Sequence, residues 1–416
     1  MRKLVSIVLV LTFLNGLSAG TSEATDFYPQ RIILNLTSEP ESSIAVTWRT
    51  EKTLDSAVVQ FAEATDWIDF KENVIEVNAN RTRFITGELD TVFHYSAVLS
   101  ELKASTQYVY RVGVNKFWSE WFQFTTAGKY PEPFKLIYFG DPQNDIKEHC
   151  SRVFRQAYKT APDASFWLFA GDIVTWPKDS LYGEFFHAGS FIFANTPLIL
   201  TPGNHDRVLM ENGKPARDEQ GKVIVMDKVD ELWNHHFTLP ENGLVGFEET
   251  SFFVDYQGVR IIMIQTNDEN RLTGQAKWIE SLLKDNPNRW TVVSFHHPVY
   301  SATSGRDDDK SRIALQPLFD KYSVDLVLTG HDHVYSRSFK LVGNQKVSWD
   351  KPGTVYVVSV SGTRMYPVKT DEISIMAKTG GNVQLFQVLT VSQHSLRYES
   401  YTATGKLYDH FELKKK

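Results

Sequence analysis

One cysteine, Cys150, stands among 416 residues, so no intrachain disulfide forms and no thiolate cluster can hold a structural zinc. Long apolar runs are also missing. The longest follows Arg2 and Lys3, and nothing approaches the ~18 apolar residues that a membrane-spanning helix requires. Positive charge is not in excess: 44 Lys and Arg face 50 Asp and Glu, for a formal charge of -6. There is no global basic field to attract a polyanion, which excludes nucleic acid as a bulk partner. Neither internal repeats nor low-complexity tracts occur. At 42% hydrophobic, 13% aromatic and 23% charged residues, the composition is that of an ordinary globular protein and excludes a disordered one.

The first residues, MRKLVSIVLVLTFLNGLSAG, set two basic residues before an apolar stretch and then small residues. That is the layout of a secretory signal, with cleavage expected after Gly20 or Ala24 and residues 1–24 removed. The mature protein is expected to be exported, periplasmic or secreted, without stable membrane insertion. Export without disulfides fits a bacterial periplasm better than a eukaryotic route. The triplets Asn35-Leu36-Thr37 and Asn80-Arg81-Thr82 keep the eukaryotic alternative open as glycosylation acceptors. Cys150 shares helical spacing with Ile146, Val153, Phe154 and Ala157, which assigns it to packing.

From 27 to 127 the chain reads as short alternating runs: RIILNL, SIAVTWRT, SAVVQFAE, FHYSAVLS, QYVYRVGV and WFQFTT. This predicts an all-β sandwich with Trp48 in its core, and ELKASTQYVYRVGV carries the spacing of a tyrosine corner. The segment resembles a fibronectin type III-like module. After the linker GKYPEP, residues 133–416 alternate apolar strands (KLIYF, FWLFA, PLILT, VRIIMIQ, TVVSF, DLVLT) with helical segments at 145–160, 274–285 and 311–322. That alternation predicts a layered α/β domain around largely parallel sheet. Two polar insertions, 211–222 and 304–310, are either solvated loops or a rim over a site.

Five of the apolar runs end alike: YFGDPQ (138–143), FAGDIVTW (169–176), TPGNHD (201–206), SFHHPVY (294–300) and LTGHDH (328–333). Loops beyond the carboxyl ends of parallel strands face one crevice, so five such ends can converge on one point. Gathering carboxylates, amides and imidazoles at the edge of a core is costly unless something satisfies them, and a metal does so. Glycines 140, 171, 203 and 330 each precede the polar residue, which predicts a sharp backbone turn there.

The ordered set GD, GD, GNHD, H and GHxH resembles the calcineurin-like metallophosphoesterases. With the N-terminal sandwich, the whole chain is similar to their purple acid phosphatase branch. The resemblance implies two metal ions of iron, manganese or zinc, with Asp172 bridging them. It assigns Asp141 and His333 to the first, and Asn204, His296 and His331 to the second. His296 is favoured over His297 because the family pattern is His, any residue, Pro. It also makes His205 the residue that meets phosphate and protonates the leaving group. Asp206 then either orients His205 or caps a helix.

Two departures matter. The purple enzymes carry a tyrosine ligand where this chain has Thr175, so no purple colour is expected and the first metal lacks a donor. Gln143, two residues after Asp141, is either that weak ligand or an outer hydrogen-bonding group. The plant-type histidine pair is replaced by Gly305 and Arg306, so Arg306 and His297 are the candidates for gripping substrate, Arg306 by a bidentate clamp. His187, His235 and His236 are either packing residues or further lining of the cleft.

Two cations about 3.5 Å apart would polarise phosphoryl oxygens and lower the pKa of bound water, so that hydroxide attacks phosphorus. The reading that follows is an exported phosphatase for small phosphate monoesters. A phosphodiesterase or nucleotide pyrophosphatase on the same metals is the alternative, and a non-catalytic binding or adhesion protein a more distant one.

Overall fold

The computed structural model describes residues 25–87, 90–267, 269–304, 306, 309–369 and 374–416. The export segment expected at 1–24, and Gly305, lie outside them. Alternation of buried and exposed residues builds the N-terminal part. One sheet pairs Gln30–Leu36, Ile44–Thr50, Thr91–Leu99 and Asn80–Ile85; the other pairs Ile75–Asn78, Val58–Glu63, Gln107–Val114 and Phe117–Trp118, with Phe122–Thr125 beside Gln107–Val114. Trp48 is buried between the sheets and stacks on Tyr95, ring centroids 5.3 Å apart. The tyrosine corner is formed by Tyr108, whose hydroxyl accepts from the Lys103 backbone N–H at 2.8 Å. Asn80–Ile85 is exposed at nearly every position and carries no apolar alternation, which is why the sequence hides it.

The second part is a pair of stacked sheets between helices. In the first sheet Phe134–Phe139, Phe166–Phe169 and Leu198–Leu200 run parallel. In the second, Val259–Ile264, Trp290–Phe295, Leu326–Thr329 and Val355–Val358 do so. Side chains alternate across the second sheet with the two-residue period of a strand. Ile261, Met263, Val292, Leu326 and Leu328 pack toward the first sheet. Ile262, Ile264, Val293, Phe295 and Val327 pack on Ile279, Leu283, Leu315 and Phe319 of the helices Glu269–Lys284 and Asp309–Tyr322. On the far side, Ser151–Thr160 and Asp179–Gly189 cover the first sheet with Val153, Phe154 and Phe185. Cys150 is fully buried at this layer, and burial pushes its thiol pKa up, as a packing residue requires.

The sandwich is not merely tethered to this domain. Gln30–Leu36 pairs in parallel with Leu198–Leu200, which joins the two parts into one ten-stranded sheet. Asn35 closes the joint: its side-chain amide donates to the Leu198 carbonyl at 3.1 Å and its Oδ1 accepts from Thr238 N–H at 3.2 Å. Being fully buried, Asn35 is no glycosylation acceptor in the folded chain, which corrects that reading of the triplet at 35–37. Among the described residues, no helix is long and apolar enough to cross a membrane.

Candidate metal centre

All five strand ends meet at one edge of the stacked sheets. Phe134–Phe139 delivers Asp141 and Gln143, Phe166–Phe169 delivers Asp172, and Leu198–Leu200 delivers Asn204 and His205. From the second sheet, Trp290–Phe295 delivers His296 and Leu326–Thr329 delivers His331 and His333. Two donor groups result: Asp141, Asp172 and His333 in one, Asp172, His296 and His331 in the other, with donor atoms within 4.8 Å of one another in each. Asp172 belongs to both.

The glycines work differently from the turn expected of them. Of the four, Gly171 alone has a positive φ, at 90°. The residues after Gly140, Gly171 and Gly330 take the left-handed conformation themselves: Asp141 at 36°, Asp172 at 51° and His331 at 72°, with His333 at 50°. Such backbone costs on the order of 1–3 kcal/mol per residue and clusters where function over-determines it. What the glycines supply is close approach. A Cβ at Gly203 would overlap the Asp172 carboxylate, one at Gly330 the Asp141 carboxylate, and one at Gly140 the Ser359 carbonyl.

Hydrogen bonds fix each imidazole. His296 Nδ1 faces the Ala170 carbonyl at 2.8 Å, which leaves Nε2 toward Asp172 Oδ2 at 3.2 Å. His333 Nδ1 faces the Arg364 carbonyl at 2.8 Å, and its Nε2 lies 3.7 Å from Asp141 Oδ1. His331 Nδ1 lies 3.0 Å from Asn204 Oδ1 and 3.2 Å from His296 Nε2. A carbonyl partner on one ring nitrogen selects the tautomer that leaves the other available to a cation. Burial lowers the pKa of His331 well below its ordinary value and that of His333 to about 4, so both are neutral. Burial also penalises the Asp172 carboxylate, but His296 and His205 outweigh it and hold its pKa below the ordinary range. Asp141 goes the other way, raised by burial.

Several buried polar atoms at this point lack partners. Asp141 Oδ1 and Gln143 Oε1 are among them, in a protein where buried polar groups are normally hydrogen-bonded. Gln143 lies inside the first group, with Nε2 2.8 Å from Asp172 Oδ2 and 3.1 Å from His333 Nε2. An amide flip would aim its orphaned oxygen at the same point. Carboxylate and amide oxygens with imidazoles suit iron, manganese or zinc. The residues therefore fit two metal ions, with Asp172 common to both.

Around this cluster the structure redistributes several roles. Asp206 does not orient His205. It is fully buried, with its carboxylate accepting from the backbone N–H groups of Ile173, Val174 and Gly203, and so pins the second and third loops together. His205 is held instead by its own backbone N–H, which donates to Asp172 Oδ1 at 2.8 Å, and by Nδ1, which faces the Thr175 carbonyl at 2.7 Å. Thr175 turns its hydroxyl to Asn144, accepting from its backbone and side-chain N–H groups, each at 3.1 Å. Arg306 reaches the second group, where its guanidinium contacts His331 Nε2 and donates to the His331 carbonyl and Asp332 Oδ1. His297 packs on His331, ring centroids 4.4 Å apart, and shares a hydrogen bond with Thr266. His235 and His236 lie elsewhere, against His94 of the sandwich, and do not line this cleft.

Sequence reasoning passed over a sixth strand end. Val355–Val358 runs on into Ser361-Gly362-Thr363-Arg364-Met365-Tyr366, where a Cβ at Gly362 would overlap the Gln143 carbonyl. The Tyr366 ring lies 4.8 Å from His333. The signal was an apolar strand ending in glycine, hidden because no acid or imidazole follows it.

Comparison with known proteins agrees with this geometry. Residues 29–126 match the family described as Purple acid Phosphatase, N-terminal domain, and residues 134–335 match Calcineurin-like phosphoesterase. The chain is a phosphoester hydrolase of the purple acid phosphatase family. Acid phosphatase type 7 of Mus musculus is 26% identical over 366 residues, covering 81% of this chain and 76% of that protein. A nucleotide pyrophosphatase/phosphodiesterase of Hordeum vulgare is 27% identical over 244 residues, covering 53% and 64%. The fold matches that of a purple acid phosphatase isolated from yellow lupin (Lupinus luteus) seeds, with a TM-score of 0.77 at 18% identity over 93% of this chain and 74% of that one.

Proposed function

We propose that this chain is an exported, two-metal phosphatase that hydrolyses small phosphate monoesters. The observation that carries the reading is the pair of donor groups sharing Asp172 at the meeting point of five strand ends. When bound, two cations supply charge at the phosphoryl oxygens and acidify a water into an attacking hydroxide. The chain's own residues do the rest. Asp141, Asp172, Asn204, His296, His331 and His333, with Gln143, supply the ligands. His205, with Nδ1 committed to the Thr175 carbonyl, has Nε2 for the proton that the departing alkoxide needs. Arg306, at the rim of the second group, supplies a guanidinium for the phosphoryl oxygens once it turns from Asp332. Export is proposed from the layout of residues 1–20 and the single cysteine.

A second reading, hydrolysis of diesters or nucleotide anhydrides, is favoured by the likeness to the Hordeum vulgare protein. The test restores manganese, zinc or iron to chelator-treated protein and compares an aryl monophosphate with its bis-aryl diester. Preference for the monoester supports the first reading and preference for the diester the second. Failure on both, with metals bound, would overturn the catalytic reading.

A further inference from the structure

We propose that Trp176 is the platform for the leaving group, and that it directs this centre toward monoesters of planar aromatic alcohols. The inference rests on the phosphatase reading above and on His205 as the proton donor. His205 is locked on two sides, by Asp172 Oδ1 at its backbone N–H and by the Thr175 carbonyl at Nδ1. Its ring cannot swing to meet a badly placed substrate. An oxygen that takes a proton from Nε2 must come within about 3 Å of it. Whatever is bonded to that oxygen then lies beside His205, and the ring packed against His205 is Trp176, centroids 5.0 Å apart and 43° from parallel.

Trp176 is placed to take this contact. It is half-buried, and among the described residues His205 is its one aromatic neighbour and its indole N–H has no hydrogen-bond partner. Tyr366, beside the ligand His333, is by contrast already covered: it carries His333 at 4.8 Å, the Arg306 guanidinium at 4.8 Å and the Arg364 guanidinium at 5.2 Å. An indole face against a planar ring gains from stacking as well as from area removed from water, whereas an ethyl group gains little.

The test follows metal-restored wild type, Trp176→Ala and Trp176→Phe with 1-naphthyl phosphate and ethyl phosphate. In Trp176→Ala the ratio of kcat/KM values, naphthyl over ethyl, is expected to fall about tenfold, chiefly through KM, with Trp176→Phe retaining most of it. Calorimetry supplies a readout without turnover: 1-naphthylmethylphosphonate should lose about tenfold in affinity relative to methylphosphonate. An equal fall for both substrates would show that Trp176 only positions His205 and overturn the inference, as would an unchanged ratio. A wild type that turns over neither ester would overturn the phosphatase reading and this inference with it.

Discussion

His94 of the sandwich and His235 of the helix Glu231–His236 stack with centroids 5.2 Å apart and planes 18° from parallel. His236 meets the same His94 ring edge-on at 4.8 Å. Beside them lie Arg31 and Arg49 with Asp179 as their counter-charge, so the two arginines, His94 and His236 at the seam between the two parts of the molecule are cationic or would become so on protonation. Burial, and then neighbouring cations, lower the His94 pKa to about 3 and that of His236 well below its ordinary value.

The sign of the pH effect follows. An unfolded chain takes up these protons near pH 6.5 while the folded one refuses them, so stability falls as pH drops from about 6.5 toward 3. Each fully refused proton costs about 1.4 kcal/mol per pH unit in that window. His94→Phe preserves the ring stack and removes one titration. Urea unfolding at pH 7, 6, 5 and 4 should show a shallower loss for the variant than for the wild type; equal slopes would show that His94 is not refusing a proton.

Asp179 holds two arginines at this seam, Arg31 through both oxygens at 2.8 and 2.9 Å and Arg49 at 2.7 Å. Asp179→Asn leaves two largely buried guanidiniums without their counter-charge, which costs about 3–5 kcal/mol. Denaturant unfolding should register that loss while metal content of the folded protein stays unchanged. An effect within 0.5 kcal/mol, the usual range of a surface substitution, would mean that the pair is solvated.

The strand ends were legible in the sequence because each combines two local signals, an apolar run and a polar residue after glycine. Three-dimensional facts were not. Nothing in Asn35 distinguishes a buried amide closing a sheet joint from a glycosylated one, because its partners Leu198 and Thr238 are 163 and 203 residues away. Asp206 reads as an orienting acid because it follows His205, yet a one-residue step in a 3-10 turn aims neighbouring side chains apart. The antiparallel strands from Met376 to Lys414 alternate in places, Ser395–Thr402 most clearly, but no site residue marks their ends.

Gly330→Ala tests the close approach. The added methyl would overlap the Asp141 carboxylate, whose Oδ2 already accepts from His331 N–H at 2.6 Å. Overpacking of this kind costs about 1–3 kcal/mol, and displacing a ligand by a fraction of an ångström should lower metal affinity by about 10–100-fold. Gly274→Ala is the control: the nearest atom to its added Cβ is Leu244 Cδ2, at an ordinary contact distance of 3.8 Å, and its φ is not positive. Retention of metal by Gly330→Ala at wild-type affinity would show that the carboxylate has room to move.

Removing the metals should expose the electrostatic strain that the ligands store. The group contains Asp141 Oδ1 and Gln143 Oε1 with no hydrogen-bond partner, and His296 and His331 nitrogens 3.2 Å apart. A cation that binds the folded chain alone adds RT ln(1 + [L]/Kd), about 2.7 kcal/mol for each ion at a hundredfold excess over Kd. Chelator-treated protein should therefore melt several degrees lower and recover on titration with manganese or zinc, saturating at two ions per chain. Asp172→Asn removes the carboxylate common to both groups, so both steps of the titration should weaken and activity should fall by about 100-fold. Loss of one ion with the other held at full affinity would assign Asp172 to a single group.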